Sequence, residues 1–154
     1  GYIKEFCDSK EKVVSIRKVP LVDSEIKEYQ KRRDAVNHVT VMFKKSKVLE
    51  AGNYQHALLM EDSLLWTNMI LHGATFKNID DYLVYVRTGA DMFKRRGGLK
   101  YFKKYKNGRK IILQTGYISK WDYYYTLLVQ LIFSILPNSV REFVYEKLLR
   151  SNKE

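Results

Sequence analysis

The sequence predicts an α/β fold, and three observations carry that reading. Hydrophobic residues make up 45% and aromatics 14% of the 154 residues, so the chain is globular and long enough to bury one core. Short β-branched runs alternate with segments of helical periodicity over the first half. Prolines and glycines stand at the ends of those segments, at Pro20, Gly52, Gly73, Gly89 and Pro137.

Val13 to Ile16 alternates weakly and runs into Arg17-Lys18-Val19-Pro20, which predicts a short edge strand closed by a proline turn. Asp23 is then a candidate cap for a helix over Glu25 to Arg32 with Ile26 and Tyr29 inward, and His38 to Phe43 has the β-branched, apolar character of a buried strand. Ser46 is a candidate N-cap for a short helix through Glu50, with Gly52 as its left-handed stop. Past the loop Asn53 to Leu59 lies the clearest helix, Glu61 to His72, with Leu64, Leu65, Met69 and Ile70 on one side and Gly73 at its end. Tyr82 to Arg87 suits another strand. A basic stretch from Met92 to Lys110 follows, broken by Gly97-Gly98 and Asn107-Gly108. Trp121 to Leu136 is almost continuously apolar, yet 16 helical residues reach only about 24 Å, short of a ~30 Å hydrocarbon layer. Beyond Pro137, Ser139 and Glu142 form a capping-box pattern opening a last amphipathic helix with Val140, Phe143, Val144 and Leu148 on one face.

The 28 Lys and Arg residues against 17 Asp and Glu give a formal charge of +11, which points to a polyanion, an anionic lipid or a phosphate-bearing substrate. A lone cysteine, Cys7, rules out an intrachain disulfide and suits a reducing, cytoplasmic setting, and no Cys/His cluster has zinc-ligand spacing. The start at Gly1, without an initiator Met or a signal pattern, reads as an internal cut.

The stretch richest in chemistry is Met60-Glu61-Asp62-Ser63-Leu64-Leu65-Trp66. A carboxylate in the first turn of a helix sits at the positive end of the dipole and stays ionised, so it can serve as a base; Glu61 and Asp62 can equally be no more than good residues for a helix start. Trp66, four residues on, shares a face with Asp62 and can stack on a sugar or fill the core. His38 and Asn37 can line the same pocket or be satisfied structural residues.

Taken together and in order, Arg33-Asp34-Ala35-Val36-Asn37-His38-Val39-Thr40-Val41-Met42-Phe43-Lys44-Lys45-Ser46, Ala51-Gly52-Asn53-Tyr54, Glu61-Asp62-Ser63-Leu64-Leu65-Trp66, Gly73 and Leu83-Val84-Tyr85-Val86-Arg87 resemble family 2 glycosyltransferases of the GT-A type, such as those of bacterial cell-surface polysaccharide biosynthesis. The similarity runs from about Glu5-Phe6 to Arg95-Arg96, and less specifically to Leu149-Arg150. It implies the C-terminal part of a Rossmann-like mixed sheet with flanking helices: residues 1–90 as the acceptor-side half of the catalytic domain, and 91–154 as a basic linker and C-terminal helical region. It also implies inverting transfer of a sugar from a nucleotide-sugar donor to a glycan or lipid-linked acceptor, with Asp62 as general base, Glu61 in support, and Trp66, His38 and Asn37 on the acceptor. Arg95 and Arg96 would approach the donor diphosphate, although Lys94-Arg95-Arg96-Gly97-Gly98 departs from the QxxRW pattern of processive members.

The family's DxD-type motif, which grips a divalent Mg or Mn ion on the donor, is missing here, so the metal's ligands lie outside this chain and the fragment alone is expected to be inactive. Asp80-Asp81 reads as a solvated turn rather than a substitute. The apolar, aromatic C-terminal run suits helices that pack on the core and present one side to the anionic inner face of the plasma membrane. The rival reading is a basic nucleic-acid- or membrane-binding module without catalysis, but no RNP-type aromatic pair or GxxG clamp occurs, and a nucleic-acid partner is not expected.

Overall fold

The computed structural model describes residues 1–88 and 97–137, together with Val140. Among these residues the sheet has three strands, β1 (Tyr2–Phe6), β2 (Val13–Arg17) and β3 (Tyr82–Arg87), in the order β2-β1-β3. β1 runs antiparallel to β2, with Ile3 opposite Arg17, and parallel to β3, with Ile3 opposite Val84. As the middle strand, β1 buries Tyr2, Ile3, Glu5 and Phe6, and the Ser15 hydroxyl donates to the buried Glu5 carboxylate at 2.5 Å. The edge position of β2 and the strand at Tyr82 to Arg87 agree with the sequence reading. β1 itself was not anticipated, because Lys4-Glu5 interrupts its apolar pattern.

Among the described residues there are five helices: α1 (Asp23–Gln30), α2 (Lys45–Glu50), α3 (Glu61–Leu71), α4 (Gly98–Gln114) and α5 (Lys120–Ile135). Neither Asp23 nor Ser46 caps its helix. Both helices begin after residues without a side-chain cap, Val22 and Lys44, and the Asp23 carboxylate instead accepts the Phe76 amide N–H at 2.7 Å. The expected strand at His38 to Phe43 is a 3-10 turn over His38–Thr40 followed by extended, unpaired backbone. Local bonds hold that turn: the Thr40 N–H donates to Asn37 O, and the Asn37 Nδ2 donates to Gly1 O, both at 2.8 Å. With no ladder partner alongside among the described residues, Val39 and Met42 stay exposed, and β propensity finds nothing to pair with.

α3 divides the interior in two. Leu65, Trp66 and Met69 join Val36, Val48, Ala51 and Ala74 in one cluster. Leu64 faces the other way, toward Ala57, Ile112, Ile118, Tyr123 and Leu127 in the α4–α5 hairpin. The basic stretch is therefore no broken segment from Gly98 onward: α4 runs straight through Asn107-Gly108. Gly108 is buried, and a Cβ there would lie 2.5 Å from Ala57 O, so the missing side chain lets α4 press against the loop before α3. Polar contacts fasten the hairpin to α1. Buried Arg109 donates to Lys31 O at 2.7 Å, Arg32 pairs with Asp122 at 2.6 Å, and the Tyr117 hydroxyl donates to Lys27 O at 2.5 Å. The capping-box pattern at Ser139 and Glu142 and the helix after it lie outside the described residues.

Candidate active site at the head of α3

The loop entering α3 carries backbone that only tertiary contacts can hold. Leu58 (φ 51°) and Leu59 (φ 83°) are both left-handed, a conformation that costs a branched residue roughly 1–3 kcal/mol and is common beside functional groups. Glu61 folds back over this loop, its carboxylate accepting the Ala57 N–H at 3.3 Å, with His56 Nδ1 3.8 Å away. Its own backbone N–H and those of Ala57 and Leu59 draw the Glu61 pKa below the ordinary value. Glu61 is thereby a clamp for the loop.

Asp62 differs. Its carboxylate is 42% exposed and lies 3.2 Å from His38 Nδ1. Partial burial raises its pKa, and the charges of Asp34 and Glu61 add to the rise while His38 opposes it. The other ring nitrogen of His38 lies 2.9 Å from the Tyr54 hydroxyl, making a chain Asp62, His38, Tyr54 across three separate segments. Behind it, Asp34 accepts the Ser63 hydroxyl and, at 3.2 Å, the Gln30 amide. Tyr54 is the member of this group that sequence reading did not single out; it lies in the quoted Ala51-Gly52-Asn53-Tyr54 stretch, but nothing about an isolated tyrosine tells what its hydroxyl touches.

Trp66 is 2% exposed and sits in the core, its ring centroid 5.9 Å from His38, 6.3 Å from Phe43 and 6.4 Å from Phe76. It supports the His38 ring from below and borders a cavity of about 400 Å³ shared with Thr40, Phe43, Lys44, Lys47 and Phe76. Its indole N–H has no hydrogen-bond partner among the described residues. Asp62 stands about one helical turn away from that wall, four residues or roughly 6 Å along the axis. Asn37 is buried too; its Nδ2 is spent on Gly1 O, while its Oδ1 has no partner among the described residues. The structure thus brings together Asp62, Glu61, His38 and Trp66, and places Asn37 next to His38 as an anchor of the turn. Arg95 and Arg96 lie outside the described residues. Among the described residues, no group of three or more His, Cys, Asp or Glu side chains could hold a metal ion.

The chain as a whole is similar to known glycosyltransferases. The chain is 35% identical over 135 residues to the amylovoran biosynthesis glycosyltransferase AmsE of Erwinia amylovora, a match covering 86% of the chain and 50% of that protein. It is 34% identical over 135 residues to the UDP-Gal:alpha-D-GlcNAc-diphosphoundecaprenol beta-1,3-galactosyltransferase of Escherichia coli, covering 88% of the chain and 49% of that protein. A glycosyltransferase of Haemophilus influenzae is 31% identical over 150 residues, or 97% of the chain and 55% of the relative. The chain spans about half the length of the curated relatives it matches. No family model matches the sequence, and no solved structure matches it.

Proposed function

We propose that this chain is the acceptor-side part of an inverting glycosyltransferase of the family 2, GT-A type, with Asp62 as its general base. The observation that carries the reading is the half-exposed Asp62 carboxylate at the head of α3, raised in pKa and held against His38, in a chain similar over most of its length to glycosyltransferases. A base must reach solvent-borne substrate, and it becomes more effective as its pKa rises toward the operating pH. Both carboxylates reach solvent to a similar extent, but that of Glu61 is occupied with the Ala57 N–H and lowered in pKa, whereas that of Asp62 is raised.

In the proposed reaction an acceptor hydroxyl donates its proton to Asp62, and the oxygen attacks the anomeric carbon of a nucleotide-sugar. The bond to the diphosphate breaks with its electron pair on the leaving group, and the sugar configuration inverts. His38 orients the carboxylate, Tyr54 holds the far side of the ring, Trp66 backs it, and Asn37 fixes the turn on which His38 stands. The E. coli relative acts on a diphosphoundecaprenol-linked acceptor by its name, which favours a lipid-linked or glycan acceptor here as well. A divalent ion would neutralise the donor diphosphate; the described residues do not fit it, so its ligands are assigned to the remainder of a longer protein. Arg95 and Arg96 are assigned to the same diphosphate.

The test uses the intact enzyme that contains this segment. Asp62→Asn should lower kcat by about 10²- to 10⁴-fold, the span typical of a positioned base, with little change in acceptor affinity. Transfer at the parental rate would remove Asp62 from the chemistry.

A further inference from the structure

One surface takes no part in the chemistry above. On α5, Trp121, Tyr124, Leu128, Ile132 and Ile135 fall at spacings of three, four, four and three residues, which aligns them on one helical face. Every one of them is exposed, from 48% at Ile132 to 69% at Trp121. The opposite face of α5, with Asp122, Tyr123, Thr126 and Leu127, is buried, so the helix is amphipathic in reverse of what packing on its own core requires.

Within the hairpin that carries this face the exposed charge has one sign. Between Gly97 and Pro137 the only acidic residue is Asp122, which is buried and paired with Arg32. Lys100, Lys103, Lys104, Lys106 and Lys110 project from the exposed side of α4, and Lys120 stands one turn before Tyr124 on the apolar face of α5 itself. No helix among the described residues is long and apolar enough to cross a membrane. An exposed stripe about 21 Å long, from Trp121 to Ile135, with an aromatic end and a hairpin whose exposed charges are all cationic, has the makings of an element that lies in a membrane surface rather than through it.

We propose that the outward face of α5, with the lysines of the α4–α5 hairpin, docks on an anionic lipid bilayer, its apolar side chains among the acyl chains and its ammonium groups at the phosphates. The inference is independent of what Asp62 does and holds whether or not the chain transfers sugar.

The chain carries its own probe. Of its two tryptophans, Trp66 is buried and Trp121 is exposed, so a change in emission on binding reports Trp121. Titration of these 154 residues with phosphatidylcholine vesicles containing about 30% phosphatidylglycerol should move that emission to shorter wavelength, an effect that about 0.5 M salt suppresses and pure phosphatidylcholine does not produce. Lys103→Gln/Lys104→Gln/Lys110→Gln should weaken binding about 100-fold, at about fivefold for each charge near an anionic surface. Leu128→Ser/Ile132→Ser, which keeps Trp121, should abolish the shift without lowering the unfolding midpoint. If the serine pair fails to fold, the lysine triple variant and the lipid dependence of the parent chain decide. An unchanged emission on anionic vesicles, an equal response to neutral ones, or a concentration-dependent shift in buffer from a second copy covering the face would each overturn the proposal.

Discussion

Asp62 and Asp122 are the same residue in nearly the same place, the first turn of a helix, and their surroundings make opposite things of them. Asp122 is buried, closes a capping box with Ser119, whose hydroxyl accepts the Asp122 N–H at 3.0 Å, and takes the Arg32 guanidinium at 2.6 Å. Burial alone would raise its pKa, but the Ser119 and Arg32 bonds more than offset that and leave it lowered. Asp62 has a similar helix dipole behind it, half its surface in solvent and one histidine for company, and its pKa is raised. A helix start is thus insufficient to define a carboxylate's work; the partners decide. One carboxylate is saturated with bonds and holds the α4–α5 hairpin to α1, whereas the other keeps lone pairs to spare for a proton.

The sharpest way to break this contrast is to make the same change at both positions. In the intact enzyme Asp62→Asn is expected to remove the 10²- to 10⁴-fold contribution of a base yet leave folding intact. Because the folded-state pKa of Asp62 lies above its unfolded value, its contribution to stability is present at low pH and is lost as pH rises through the folded value. At neutral pH the amide should therefore leave the Tm equal or slightly higher. Asp122→Asn should do the reverse: it strips the charge from a buried group with three bonds and should cost about 2 kcal/mol, read as a lower Tm. With its pKa lowered on folding, Asp122 stabilises the chain above the ordinary aspartate range and ceases to do so as pH falls through the folded value, so the variant should flatten the acid limb of the stability profile.

Gly108 tests whether the hairpin also positions the site. A Cβ at this position would meet Ala57 O at 2.5 Å and Met60 Cγ at 2.7 Å, and the first is backbone that cannot turn aside. Gly108→Ala should cost about 1–3 kcal/mol through overpacking, despite the better helix propensity of alanine. Since the residues it strikes lead directly into Glu61 and Asp62, transfer by the intact enzyme should fall along with the Tm; a loss of stability alone would separate hairpin from site.

How much of this the sequence shows depends on whether a feature is local. The helix at Glu61 to Leu71, the strand at Tyr82 to Arg87 and the stop at Gly73 (φ 74°) are written in spacing and turn residues, and were legible. α4 was obscured because Asn107-Gly108 reads as a turn, although Phe102, Tyr105, Arg109 and Ile112 keep helical spacing across it; the glycine is there for a neighbour 51 positions earlier in the chain. The Ser119 to Asp122 capping box is a local signal that was present and not used. His38 to Phe43 shows the opposite failure, since good strand residues become a strand only where another strand lies alongside. At the site, the acidic pair and His38 stood out as residue types, but which carboxylate is spent on the loop and which is open follows from contacts across the fold.

The smallest expected effect bears on how Asp62 is tuned. Beyond the effect of burial, its neighbours push its pKa in opposite directions: His38 draws it down by stabilising the carboxylate, and the charges on Asp34 and Glu61 lift it. In the intact enzyme the acid limb of kcat/KM should follow the ionisation of Asp62. His38→Gln removes the opposing pull, so that limb should move to higher pH, and the Tyr54 hydroxyl, left without its ring nitrogen at 2.9 Å, should become more mobile. Asp34→Asn should move the limb to lower pH, because a neutral amide can still accept from Ser63 but no longer disfavours a second charge. Opposite displacements from the two variants would tie the limb to Asp62 itself. Displacements of the same sign would mean that the titrating group sits elsewhere, and the difference drawn between the two aspartates would lose its chemical half.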